Sequence, residues 1–459
     1  MADVQHSAVR ARRGVAARPA IGSATSAEKK LPIFVKIFVI SLIIPLIFSL
    51  GSITLSTYRI ALLAMFVPSF IMWISGKAGP LRWADGLICL MVTWMIISTI
   101  YHKGMGEAIE PVGILTLEHL GTYLLGRVFI RDARSFRQMA ILLFCVGVFL
   151  FPFALYEGLT GHNLYRSIWA NLGRVPFDVN MEARLGLDRF QGPFDHPILS
   201  GVFLTPALAL GCFVVGYRKG FVTRTSLTGI AFLTGFLSVS SGPISALTVQ
   251  IGMVLWEAIF RPIKARWWIF LGLAAVAYVA IDLLSNRTPI VVAISYLALN
   301  THTAMNRVYI WEWGWVNIFS NPLFGTGLGG EWQRYSFMTD SFDMFWLLYA
   351  MSYGLIAGIG HLGAALLIVW QLIRKKIADE RIREYRMGWL IGFVGFFMAG
   401  WMVHYWEAPL ALCFFFLGSA IWFLDYEDGA DEAVDDTAED TAERRTRYSR
   451  FPTRETRST

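Results

Sequence analysis

The length of its apolar blocks limits this chain more than any other feature. Nearly uncharged stretches recur from residue 33 to residue 424, most of them about 18 to 22 residues long, the length a helix needs to cross a hydrocarbon core ~30 Å thick. Twelve such segments are legible: 33–50, 52–75, 84–101, 111–127, 139–158, 196–216, 226–239, 243–260, 267–284, 344–372, 387–404 and 408–424. The expected fold is therefore all-α, a polytopic transmembrane helical bundle of about twelve spans. Composition agrees, because charged residues make up 16% of the 459, against roughly 25% in a soluble domain. That excludes a disordered chain, a disulfide-stapled secreted domain and an ordinary soluble enzyme. Cys89, Cys145, Cys212 and Cys413 all lie inside apolar blocks without CxxC spacing, which suits small core residues and neither disulfides nor metal ligands.

Charge sets the expected orientation. With the N-terminus inside, 30 of the 40 Lys and Arg fall on the tails and on the loops 76–83, 128–138, 217–225, 261–266 and 373–386, counting Arg127 at a span end. Eight fall outside, and the tight outer turns carry none. This is the positive-inside pattern. It predicts a multi-pass protein of a bacterial inner membrane with both termini cytoplasmic, and the net charge of +7 then reports topology and no nucleic-acid partner. Residues 1–32 are expected to form a flexible cytoplasmic tail. Arg12–Arg13 lies about 20 residues before the apolar run, with no cleavage site, so a signal peptide is disfavoured. Residues 425–459, with nine acids between Asp425 and Asp440 and six Arg from Arg444 to Arg457, cannot bury a core and read as a disordered second tail.

Two outer segments, 159–195 and 285–343, are long enough to need a reason. Both are rich in Trp, Tyr, Phe and Gly. In a Gram-negative cell both face the periplasm. Interfacial helices are expected over 289–299 and 308–319, the second presenting Trp311, Trp313 and Trp315 to the headgroups. The glycine cluster Gly325–Gly330 lacks the GK[ST] ending of a nucleotide loop and reads as a tight turn. No HExxH, GxSxG or Cys/His zinc spacing occurs, so metalloprotease and serine-hydrolase chemistry has no support.

The loops do carry isolated arginines in aromatic surroundings. Arg189 and Arg307 stand outside against the positive-inside tendency. A guanidinium forks onto phosphate oxygens, and two of them beside a membrane would make a cradle for a lipid diphosphate. The alternative is ordinary pairing with Asp188, Asp195 or Glu312. Asp343, at the entry to the tenth span, suits either a helix cap or a general base that takes the proton of an attacking hydroxyl. Within the bilayer, Arg59 and Glu118 lie at similar depth and are expected to pair. His361 and His404 are expected to serve as hydrogen-bonded interhelical donors.

These residues stand in recognisable motifs. RFQGPFDHPILSG, from Arg189 to Gly201, resembles the R-x-x-G-x-F-x-H-P motif of the O-antigen ligase and polysaccharide (Wzy-type) polymerase membrane proteins. RVYIWEWGWVNIFSNPLFGTG, from Arg307 to Gly327, resembles their R-x-x-x-W followed by N/D-P-L-F-G-x-G. DMFWLLYAMSYGLIAG, from Asp343 to Gly358, resembles their H/D-N-x-F-L motif leading to Gly-Leu-Ile-x-Gly. The resemblance covers roughly residues 30–424. It implies a metal-independent membrane glycosyltransferase with no cofactor, moving a glycan from undecaprenyl diphosphate to an acceptor sugar hydroxyl for exopolysaccharide, capsule or O-antigen assembly. It implies a lipid-linked oligosaccharide donor and a glycan acceptor as partners, with a flippase and a chain-length regulator as further ones. Arg307 and Asp343 are the expected catalytic residues, and Arg189, His196, Trp311 and Arg59 the expected substrate-binding ones. Ligases that join glycan to lipid A core usually carry His where this chain has Asp343, and Asn where it has Met344, which favours a polymerase. A flippase or other transporter is the competing class. It would place polar groups near the midplane and show repeated halves, whereas here they collect in two loops.

Overall fold

The computed structural model of the protein describes residues 30–50, 53–179, 181–286, 288–289, 291–292 and 301–428. Nearly all of the tails at 1–32 and 425–459, and most of the helix expected over 289–299, lie outside these residues. The fold is mostly helical, 70% helix against 2% strand, and among the described residues eight helices are long and apolar enough to cross a membrane. The four cysteines are free.

The first expected span departs from a single helix. Residues 33–50 give a nine-residue helix, α1 (Ile33–Ser41), followed by the strand β1 (Ile47–Leu50), which pairs antiparallel with β2 (Ile53–Ser56). Nine residues rise only ~14 Å, half the bilayer core. Pro45 keeps the helix from resuming by holding Ile44 out of the α region, and Ile47, Phe48, Ile53 and Thr54, residues that suit strands, lie in the hairpin beyond it. From Thr57 the chain is helical again as α2 (Thr57–Ile74).

The next two expected spans form one interrupted helical run. α3 (Trp83–Thr116) is broken at Gly104 (φ 75°), then passes through a π-turn at Leu117–Gly121 into α4 (Thr122–Phe129). The π-turn carries Glu118 and His119, and such wide turns favour functional or polar sites. α5 (Ala133–Thr160) starts at Asp132, whose carboxylate accepts from the Ser135 N–H at 2.7 Å, and ends at Gly161 in the left-handed region. A short α6 (Leu164–Ala170) and an extended loop lead to α7 (Pro197–Leu210), α8 (Phe221–Phe236), α9 (Ser241–Ile259) and α10 (Arg266–Leu284). α10 has no buried residue, and Trp268, Leu271, Val276 and Leu284 all face outward. Such a surface is unfavourable in water by ~25 cal/mol per Å² and costs nothing against lipid, which is the most direct structural sign of a membrane around the chain.

The expected helix over 308–319 is longer than the sequence indicated: α11 spans Thr301–Ser320. The tenth apolar segment is two helices, α12 (Phe345–Tyr353) and α13 (Leu355–Arg374), separated by Gly354 at φ 94°. The glycine turn after α11 clasps this break. Thr326 and Gly327 donate their N–H groups to the carbonyls of Met351 and Ser352 at 2.9 Å, and Leu355 donates to the Pro322 carbonyl at 2.8 Å. A side chain at Gly354 would overlap the Leu323 carbonyl. The glycines therefore serve a tight turn, as expected from their sequence.

α14 (Glu380–Gly400) and α15 (Glu407–Gly418) complete the core. α4 and α15 cross with backbones almost touching: a Cβ at Gly126 would meet the Phe415 carbonyl, and one at Gly418 the Tyr123 carbonyl. Small residues at such a crossing are what let membrane helices pack closely. Gly126→Ala should therefore lower the melting temperature in detergent, by the equivalent of ~1–3 kcal/mol of overpacking. An unchanged melt would mean that the helices cross further apart. At the end of the bundle where α5 begins, the cations have partners. Arg127 is buried between Asp85, at 3.3 Å, and the carbonyls of Ala78 and Pro80, and Asp425 accepts from Arg82 at 2.5 Å and Arg131 at 3.0 Å.

Candidate functional site

At the opposite end of α5, four loop segments meet: the turn before α7, the turn between α8 and α9, the stretch before α12, and residues 401–406 before α15. The contacts that join them are specific. Phe190 donates its N–H to Leu237 at 2.9 Å, Phe345 to Val403 at 3.2 Å, and the His196 and Trp406 rings lie 6.4 Å apart. Residues of the three sequence motifs meet here, the first motif lying more than a hundred residues from the other two.

Arg189 is 7% exposed and donates one N–H to the Ser240 hydroxyl at 2.9 Å; that hydroxyl in turn donates to the Ser238 carbonyl. Its Nε is buried without a hydrogen-bond partner, and no carboxylate lies within ion-pair distance among the described residues. The expected alternatives, Asp188 and Asp195, do not pair with it. Burial, with Arg184 adding repulsion, pulls Arg189 down to about 10. An enclosed guanidinium without an anion is costly, and the arrangement is completed by adding one.

Arg307 projects from α11, is 9% exposed, and donates Nε–H to the Met402 carbonyl at 2.7 Å. Burial lowers its pKa, Asp343 opposes that, and Arg184 adds to it. Asp343 is half-buried and accepts a hydrogen bond from the Ser341 hydroxyl at 2.5 Å. It is not a helix cap. Met344 occupies the N-cap of α12, with no side-chain capping bond, which removes the plainest structural explanation for this carboxylate. The Asp343 charge is felt by Arg307, His196 and His404 alike, so one carboxylate acts on two motif residues and on a histidine outside the motifs.

His196 caps α7, its Nδ1 accepting the Ile198 N–H at 3.1 Å, with Pro197 at the first helical position. A ring that accepts at Nδ1 is neutral and carries its proton on Nε2. Burial first, then Arg189 and Arg184, pull its pKa down to about 4, while Asp343 pulls the other way. A histidine depressed below its ordinary ~6.5 contributes stability that is present above pH ~6.5 and is lost as pH falls toward 4. His196→Asn keeps a capping side chain, so this part of the pH-dependent fall in melting temperature should disappear in that variant. An identical profile to wild type would show that His196 does not titrate as described.

Trp311, one turn beyond Arg307, is 38% exposed and meets Trp315 and Trp401 edge-on at 5.4 and 6.0 Å, an aromatic wall beside the arginine. Arg59 is placed differently. It pairs with Glu118 at 2.8 Å, and Tyr58 donates to the same carboxylate. The expected ion pair is present, and it commits Arg59 to a carboxylate. Its second neighbour, Glu407, lies at 4.0 Å and shares a hydrogen bond with Asp195, the residue before His196. Arg59 thus supports the site from behind.

No known family model matches the chain, and no curated protein matches it.

Several contributors escaped the sequence reading. Ser240 anchors Arg189 from a turn with no motif. Glu407, at φ 52°, is a strained residue at the start of an apolar helix, and only its position after His404-Tyr405-Trp406 hinted at it. His404 lies in the loop beyond α14, against Trp406 at 5.0 Å. His361 contradicts its expected role as an interhelical donor: it is fully buried, stacked on Trp346, and neither ring nitrogen has a partner among the described residues.

Proposed function

We propose that this protein is an inner-membrane glycan polymerase, a metal-independent glycosyltransferase similar to the O-antigen ligase and polysaccharide polymerase proteins. It transfers lipid diphosphate-linked oligosaccharide repeats onto an acceptor sugar hydroxyl on the periplasmic side. The observation that carries this reading is Arg189: a buried guanidinium with no paired carboxylate and an idle N–H among the described residues, in the same loop cluster as Arg307, Asp343 and His196. A diphosphate supplies the missing anion.

In this reaction the acceptor oxygen attacks the anomeric carbon, and the bond from that carbon to the diphosphate oxygen breaks with its electron pair leaving on the lipid diphosphate. Arg189 and Arg307 bind the charge that develops there. The His196 Nε2–H donates to the same phosphate region, and Asp343 takes the proton of the attacking hydroxyl. Trp311 offers a flat face to the sugar or the isoprenoid, and Arg59 holds the Glu407–Asp195 support in place.

The topology follows the charge pattern, with residues 159–195 and 285–343 on the periplasmic side and both termini cytoplasmic. Counting the two legs of the α3–α4 run separately, and adding α8, α14 and the α1–hairpin segment, brings the eight apolar helices to the expected twelve segments. Asp343 in the place of a ligase histidine favours polymerisation over transfer to lipid A core.

The donor is already activated, so purified protein in lipid should extend lipid-linked repeats without ATP, an ion gradient or divalent metal, and EDTA should not slow it. Product ladders resolved on a gel read this out. Dependence on a gradient would favour a transporter.

A further inference from the structure

Beside Arg189, at the C-terminal end of α5, lies a cavity of about 260 Å³. Its wall includes Glu157, His162, Asn163, Asp178, Asp188 and Arg189. Most of these groups are already committed. Glu157 accepts the N–H groups of Gln191 and Gly192 at 2.8 and 3.1 Å, Asp178 pairs with Arg166 at 2.9 Å, and Asn163 donates to the Gly192 carbonyl at 3.0 Å. Two are not. The Arg189 Nε is a buried donor with no partner among the described residues, on a residue 7% exposed. The Asp188 carboxylate has no hydrogen bond or ion pair among the described residues, although its own N–H is tied to the Gly158 carbonyl at 2.9 Å.

Asp188 is also placed where a carboxylate is disfavoured. It packs against Gly161, the cap of α5, so it faces the negative end of that helix's dipole. No cation or hydrogen-bond donor meets this carboxylate among the described residues. An unpaired carboxylate and a guanidinium lining one polar cavity suit a ligand that carries hydroxyl groups beside an anion, the carboxylate accepting the hydroxyl protons and the guanidinium holding the anion.

We propose that this cavity seats the sugar unit bonded to the diphosphate, that Asp188 grips its hydroxyls, and that the site admits an uncharged sugar in preference to an acidic one. The proposal rests on the transfer reading, because a sugar one bond from a phosphate held by Arg189 must lie beside that arginine. Discrimination follows from charge. Glu157, Asp178 and Asp188 surround the cavity, and a uronate carboxylate would enter their field while Arg189 is engaged by the diphosphate. The polar wall also disfavours the isoprenoid tail as occupant.

The test uses the full chain in lipid nanodiscs with three probes: undecaprenyl diphosphate carrying one hexose, the same lipid carrying the matching hexuronic acid, and the sugar-free lipid diphosphate. Wild type should bind the hexose lipid at least about ten-fold more tightly than the hexuronic one. Asp188→Ala should weaken the hexose lipid by about ten-fold, the size of one lost charged hydrogen bond, and leave the sugar-free lipid unchanged. Asp188→Asn keeps the shape and removes the charge, so it should narrow the discrimination between the two sugars. Its melting temperature should be no lower than wild type's, because the lost charge faced the negative end of α5, and this separates recognition from folding. Unchanged hexose binding in Asp188→Ala, or equal wild-type affinity for the two sugars, overturns the proposal while leaving the transfer reading intact. Failure of wild type to bind the sugar-free lipid, or no loss of that binding in Arg189→Ala, overturns the transfer reading and this proposal with it.

Discussion

Replacing Arg189 with alanine is expected to abolish long-chain polymer while leaving the protein folded and as stable as before, or more so. The two halves of this expectation come from one observation. The guanidinium is enclosed and, among the described residues, its Nε has no partner and no carboxylate lies within ion-pair distance. Such a group costs stability, so removing it should not lower the melting temperature. If the same charge stabilises a departing diphosphate, its loss should cost ~10²- to 10³-fold in turnover, the usual effect of removing one donor that binds developing charge. Arg307→Ala should fall by a similar factor. Lysine at either position restores charge without the planar fork and should recover little. Turnover by gel ladder and thermal unfolding of the same preparations check both halves. Normal polymer from both alanine variants would remove the phosphate cradle from the account. A sharp fall in stability for Arg189→Ala would mean that its charge is balanced by an anion within the fold.

Asp343→Asn should slow transfer by ~10²- to 10⁴-fold, the range for losing a general base, while leaving donor affinity close to wild type. The amide keeps the size and can still accept from Ser341, so packing around α12 is preserved. Asp343 makes no capping bond to that helix, so a purely structural role predicts a small effect. The informative measurement is therefore the split between donor binding and turnover. Equal losses in both would place Asp343 in donor binding, and normal turnover would end its role as proton acceptor.

The sequence carried the coarse architecture because the bilayer imposes a length on every crossing, and length is visible in hydropathy. It misjudged residues 33–50 because apolarity alone does not separate a helix from a hairpin; Pro45 was the deciding residue and is easily absorbed into an apolar count. The break at Gly354 was visible as a glycine, but not as a seat for the Pro322–Gly327 turn, since that contact is made by backbone atoms. Arg189, Arg307 and Asp343 were legible as charges out of place. What made Arg189 distinctive, the lack of a counter-charge, depends on which carboxylates the fold brings near, and Asp188 and Asp195 are adjacent in sequence yet paired elsewhere or not at all. Glu407 was hidden for the same reason, since its neighbour Asp195 is more than two hundred residues away.

The clasp between the glycine turn and the break at Gly354 ties the helix that carries Arg307 to the helix that Asp343 precedes. Arg307 rides on the helix that leads into that turn, and Asp343 stands two residues before the helix that ends at the break. In the proposed reaction, a shift of Arg307 toward an arriving anion would reach Asp343 through this backbone clasp, by way of the short helix between them.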